Sequence, residues 1–415
     1  MTFRTMPTRR VLAAPLTIAA LTLTACGTDD DAGTPSAGST GAPTEQPRET
    51  DDATPRLVAT YDGGALVLDG ETLDVLETFD AEGFTRVNPA GDGRHVLWSV
   101  GDAFRVIDTG VWSGEHGDHE HHYVQDPALT DIEFEADHPG HVVHHAGLTA
   151  LFSDGSGKIE IFDPNALAEG RPETETHTTA EAHHGVAVQL ENGELVTTLG
   201  DEDSRSGIVV HNADGQEVTR NEQCAGVHGE APAADGALLF GCENGVLIYR
   251  DGRITKVDSP DPYGRIGNQA GSHASPVVLG DYKVDPDAEL ERPERVSLID
   301  TRSGTLRLVD LGTSYSFRSL GRGPHGAALV LGTDGAIHVI DPATAEVTTS
   351  IPVVDPWTEP MRWQQPRPTL TVVGHTAYVT EPAADEIHAV DLESRTVTST
   401  TGLPATPNEL TGVSG

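Results

Sequence analysis

Positive charge is scarce in this chain: 26 Lys and Arg stand against 65 Asp and Glu, a formal net charge of -39 over 415 residues. Phosphate backbones are bound through basic footprints, so nucleic acid is excluded as a partner. Thioethers are nearly as rare. Of three methionines, Met1 and Met6 lie in the first residues and Met361 stands alone in the folded part, so soft Cu(I) has few suitable ligands. Long apolar runs are missing, and the stretch Val11 to Leu23 is too short, with its flanks, for a spanning helix. Helical periodicity is almost absent. There is no Gly-x-Ser-x-Gly elbow in a strand-turn-helix setting, no His-Glu-x-x-His helix and no phosphate-cradling loop, which leaves little for catalysis.

What is present at the start reads as an address. Arg4, Arg9 and Arg10 precede the apolar stretch, which ends in Leu23-Thr24-Ala25-Cys26, the pattern of a lipoprotein signal peptide over residues 1–25 with lipid on Cys26. Residues 26–55 hold Gly, Ser, Thr, Pro, Asp and Glu with hardly a large apolar side chain, which predicts a solvated tether reaching about 30 Å. The expected location is therefore extracytoplasmic, anchored to the cell membrane. In that oxidising compartment the two remaining cysteines, Cys224 and Cys242, favour a disulfide over a thiolate metal pair.

From residue 56 to 415 short strands alternate with Asp-Gly, Asn-Gly and Asp-Pro turns. Phe104-Arg105-Val106-Ile107-Asp108, Val296-Ser297-Leu298-Ile299-Asp300, Ala336-Ile337-His338-Val339-Ile340-Asp341 and Glu386-Ile387-His388-Ala389-Val390-Asp391 repeat one strand of a unit, each ending in aspartate. The period of about 45 residues is that of a propeller blade. This predicts an all-β chain forming one β-propeller of about eight four-stranded blades, with seven as the alternative and a pair of β-sandwich domains as the rival fold. Innermost strands are expected to begin near Phe84, Val143, His183, Val227, Ser272, Phe317 and Thr369. Asn408 to Val413 supplies one more, closing a blade whose outer strands come from residues 57 to 79.

Three of those inner segments carry histidine: His144-His145, His183-His184 and Val227-His228. Taking the second of each pair aligns His145, His184 and His228 as three imidazoles converging at a channel mouth, a set suited to zinc. A register slip would substitute His144 and His183, since alternation sends neighbours to opposite faces. Glu181 and Glu230 are candidates for a fourth ligand or for orienting an imidazole. Upstream, Glu115-His116-Gly117-Asp118-His119-Glu120-His121-His122 interrupts the connection after a third strand, and its His116, His119, His121 and His122 form a flexible metal-capturing loop. Imidazole with carboxylate favours Zn(2+), with nickel or Cu(II) behind it. Arg86 and Arg318, at inner positions of other blades, either bind a substrate anion or pair with acids. Occupancy is expected to fall as pH drops through the histidine range.

The loop His-Gly-Asp-His-x-His-His-Tyr, the segment Glu181 to Val188 and the segment Cys224 to Glu230 resemble the AztD family of bacterial zinc metallochaperones, over the whole folded part from about Arg56. The resemblance implies a non-enzymatic, monomeric, extracytoplasmic propeller that captures zinc and passes it to the solute-binding protein of a zinc ABC transporter. The lipobox departs from a freely soluble form. A metal-dependent hydrolase and a purely structural binding propeller are the alternative classes.

Overall fold

The recurrent aspartates are the key to how the chain folds locally. Asp69, Asp300 and Asp341 each end a strand and accept hydrogen bonds from the two backbone N–H groups two and three residues on. The residue four places after each aspartate returns its own N–H to the aspartate carbonyl, and it lies in the left-handed region at Leu73, Gly304 and Ala345. The carboxylate thus satisfies the turn and reverses the chain into the next strand. Between these turns, alternating apolar side chains face both neighbours of each sheet.

The structure is a computed structural model, and it describes residues 46–117 and 119–415. Among the described residues the strands form eight four-stranded antiparallel sheets and one three-stranded sheet, with helix confined to short 3-10 turns such as Pro164–Glu169. Six of the eight are built from four consecutive strands, and a seventh is interrupted by an inserted pair before its last strand. The eighth joins the two ends: Leu410–Val413 pairs with Arg56–Tyr61, which leads into Gly64–Asp69 and Val75–Asp80. The architecture is of the propeller type expected, with first strands Arg86–Pro89, Pro139–His145, Ala187–Gln189, His228–Pro232, Gln269–Ala270, Tyr315–Arg322 and Leu370–Val373. Each sheet touches the next in sequence, and Leu370–Val373 touches Leu410–Val413. The core is a series of apolar layers between successive sheets. One of them packs Val143, Val188, Val196, Phe240 and Leu247 around the Cys224–Cys242 disulfide, which forms as expected.

Two expectations change. The His-acid loop is not irregular: Val111–His116 and His119–Val124 make a β-hairpin, inserted before the last strand of its sheet, Ala128–Glu135. Residues assigned to the tether also take part, because Arg48–Thr50 pairs with the hairpin as a third strand, Glu49 opposite Tyr123. Composition hid this strand, since its partner lies about 70 residues away and it has no apolar face of its own. The signal-peptide and lipid-attachment expectations, with Cys26, lie outside the described residues. No helix among the described residues is long and apolar enough to cross a membrane.

Candidate metal site

A histidine that holds a metal on one nitrogen is oriented, and its tautomer fixed, by the hydrogen bond its other nitrogen makes. His228 opens the strand His228–Pro232, and its Nδ1 lies 2.6 Å from the Gly267 carbonyl oxygen. A carbonyl only accepts, so Nδ1 carries the proton and Nε2 keeps its lone pair. His184, three residues before the strand Ala187–Gln189, places its Nδ1 2.5 Å from Asp154 Oδ2, and the same logic frees its Nε2. The two freed Nε2 atoms stand 3.2 Å apart. A third imidazole, His141, sets its Nε2 3.3 Å from that of His184, and one nitrogen from each of the three lies within 4.8 Å of the others.

Two lone pairs at that separation repel unless a cation sits between them. Nitrogens bound to tetrahedral zinc at about 2.0–2.1 Å stand about 3.3 Å apart, the spacing found here. Burial and the neighbouring histidines hold His141 well below the usual histidine range, and burial, with His184 beside it, lowers His228 to about 3. These imidazoles are therefore neutral and ready to ligate at neutral and mildly acid pH. Asp154 does more than orient His184: it packs so closely on Gly140 that a Cβ there would stand 2.1 Å from its Oδ1. One carboxylate thus fixes the backbone beside His141 and the ring of His184.

His141 replaces the expected His145. The strand runs Pro139–His145, so it begins four residues earlier than Val143, and His145 is its last residue. His184 and His228 lie at the starts of their strands, and only His141 shares that level. A register irregularity between Pro139 and Val142, after the left-handed His138, shifts the face that strict alternation would assign. His145 is buried instead, its ring 6.0 Å from that of His273, and burial depresses it to about 4. His144 is exposed. His183 is buried and bridges the Glu181 carbonyl and Thr198 Oγ1, at 3.0 Å each, so it is a brace within its own segment.

Glu181 turns its backbone, not its carboxylate, to this segment, and Glu230 is absent from the three-histidine group. Burial alone raises Glu230 to about 7. On the hairpin, His119 and His121 bring their Nε2 atoms to 3.1 Å, and His121 Nδ1 meets Glu49 Oε1 at 2.5 Å. His122 points the other way, to Ser113 Oγ at 2.7 Å. The side chain of His116 lies outside the described part. Among the described side chains, none of the hairpin histidines joins the His141, His184 and His228 group.

A second group, Glu381, Glu386 and His388, has ligand-like spacing. His388 there bridges Thr400 and Glu381, and His338 at the same strand position of the preceding sheet bridges Ser350 and Asp334. The arrangement is a brace internal to the repeat. Arg86 and Arg318 both pair with Glu409, so they follow the acid-pairing reading.

In sequence the chain is similar to the zinc chaperone AztD of Citrobacter koseri, 28% identical over 361 residues that cover 84% of this chain and 83% of that protein. A crystal structure of Citrobacter koseri AztD superposes with a TM-score of 0.77 at 26% identity, over 88% of this chain and 98% of that one. A structure of apo AztD from the same organism gives 0.75 at 25% identity, with the same coverage of both chains. No family model matches the chain.

Proposed function

We propose that this chain, similar along its folded part to a zinc chaperone, is itself an extracytoplasmic zinc metallochaperone that carries the ion on His141, His184 and His228 and yields it to the solute-binding protein of a zinc ABC transporter. The observation that carries the reading is the triplet of imidazoles with two of its free nitrogens 3.2 Å apart and their opposite nitrogens committed to Asp154 and Gly267. Three neutral ligands hold a divalent ion and leave a fourth position through which a competing ligand can enter. That is what handover by ligand exchange requires. The eight four-stranded sheets, each touching the next, are read as eight blades of one ring closed by the shared terminal sheet. The hairpin histidines are read as the capturing segment, and the N-terminal lipid as a tether that holds a monomer near the transporter.

Zinc titration of the folded domain tests this. Tight binding of one ion is expected, lost when His141, His184 and His228 are all changed to alanine. Transfer to a zinc solute-binding protein should then proceed faster than release into solution followed by recapture. Equal binding by parent and triple variant would remove the site from the reading.

A further inference from the structure

A site built for a cation has an unexpected neighbour. Arg86 and Arg205 both bear electrostatically on His141, and Arg205 and Arg265 on His228. Like charge beside a bound divalent ion weakens it unless something negative intervenes. Two of the three arginines have their own acids: Arg86 meets Glu409 at 3.1 Å and Arg265 meets Glu243 at 3.4 Å. Arg205 has none. It opens the strand Arg205–His211, is half-buried, and its guanidinium makes no hydrogen bond or ion pair among the described residues. It lines a cavity of about 540 Å³ whose wall includes His184.

The other acids of that cavity are placed for other tasks. Asp201 accepts the N–H groups of Asp203 and Ser204 in its own turn, and Glu243 is taken by Arg265. Asp154, outside that cavity's wall, is bound to His184. Glu202 and Asp203 are exposed on the rim. Three neutral imidazoles leave a bound zinc ion with its full double charge and one open position. A carboxylate has two oxygens, one for the metal and one for a guanidinium fork.

We propose that Arg205 holds an exogenous carboxylate that completes the shell of the metal carried by His141, His184 and His228. The fourth ligand is then supplied from outside, either as a free small carboxylate or as the side chain of an acceptor protein. This rests on the three-histidine reading. It gives Arg205 a part in loading and handover: the same residue that weakens the bare ion stabilises the ion with its carboxylate, so the incoming ligand is selected by charge.

Cobalt(II) is the probe, because its visible spectrum reports the fourth ligand directly. Formate added to the cobalt-loaded parent should change the spectrum saturably. In Arg205→Ala the half-saturating formate concentration should rise by about tenfold or more, the loss of a charge-assisted hydrogen bond, with Arg205→Lys in between. Cobalt affinity without formate should be equal or tighter in Arg205→Ala, which a merely structural role would not produce. A short, end-blocked glutamate peptide in place of formate distinguishes the sources, the one that saturates at lower carboxylate concentration being the natural kind. Formate titrations that coincide in parent and Arg205→Ala, or a spectrum that neither probe alters, would overturn the proposal while leaving the three-histidine site standing. Absence of any cobalt spectrum in the parent would overturn both.

Discussion

His141 and His145 lie four residues apart on one strand, yet they have opposite fates. His141 shares the level at which the neighbouring inner strands begin, and His145 sits at the far end of its strand. Changing His141 to alanine should therefore weaken zinc by more than the roughly 10- to 100-fold that outer-shell changes bring, whereas His145→Ala should leave zinc affinity within about twofold. Competition with a chromophoric chelator reads both. Asp154→Asn belongs to the outer-shell class: it keeps the shape but weakens the acceptor that fixes His184, so a loss of about 10- to 100-fold is expected in the same assay. The pH dependence also changes from the sequence-based expectation. Three imidazoles at the ordinary value would cost zinc binding about a thousandfold between pH 7.5 and 5.5. His141 and His228 are already deprotonated through that window, so the fall should be about a hundredfold smaller, as isothermal titration at the two pH values would show. The linkage has a definite sign: His228 binds fewer protons folded than unfolded, so metal-free stability is full above the ordinary histidine value and declines as pH falls from there toward about 3.

At the scale of elements, the hairpin Val111–His116 with His119–Val124 shows why a histidine-rich stretch need not be formless. Trp112 stacks on Tyr123 across it, with ring centroids 5.4 Å apart, and Arg48–Thr50 covers one edge. Alternation then divides the histidines, His119 and His121 on one face with Glu49 and His122 on the other with Ser113. Replacing His119 and His121 by alanine should remove one weakly held zinc ion from the titration stoichiometry and leave the tight ion unchanged. The strand Pro139–His145 teaches the complementary lesson. Its apolar residues Val142 and Val143 mark a strand correctly, but its beginning at Pro139 is set by pairing with Ser153, a tertiary contact no local pattern announces.

The whole molecule depends on joining its ends. Leu410–Val413 covers the edge of Arg56–Tyr61 that would otherwise stand unpaired, and the same terminal segment brings Glu409 to Arg318 at 2.9 Å, both side chains less than a tenth exposed. Asn408 accepts from the same guanidinium. Glu409→Ala leaves that cation buried without its acid, so chemical denaturation should show a loss of about 3–5 kcal/mol, far more than an exposed ion pair is worth. The variant should therefore unfold at lower denaturant than the parent.

The sequence by itself determined the β class, the repeated aspartate turn, the sharing of one sheet by both ends, the disulfide and two of the three clustered histidines. All of these rest on local chemistry: alternation, turn residues that bond their own backbone, and residue types whose behaviour is set by their neighbours in the chain. Only the tertiary structure decided that His141 and not His145 meets His184 and His228, that Arg48–Thr50 belongs to the hairpin, and that Arg205 stands beside the metal triplet without a hydrogen bond or ion pair among the described residues. Those outcomes depend on strand register and on which blades face one another. A shift of four residues along a strand moves a side chain about 13 Å, more than the width of a metal site, while leaving the hydrophobic pattern unchanged.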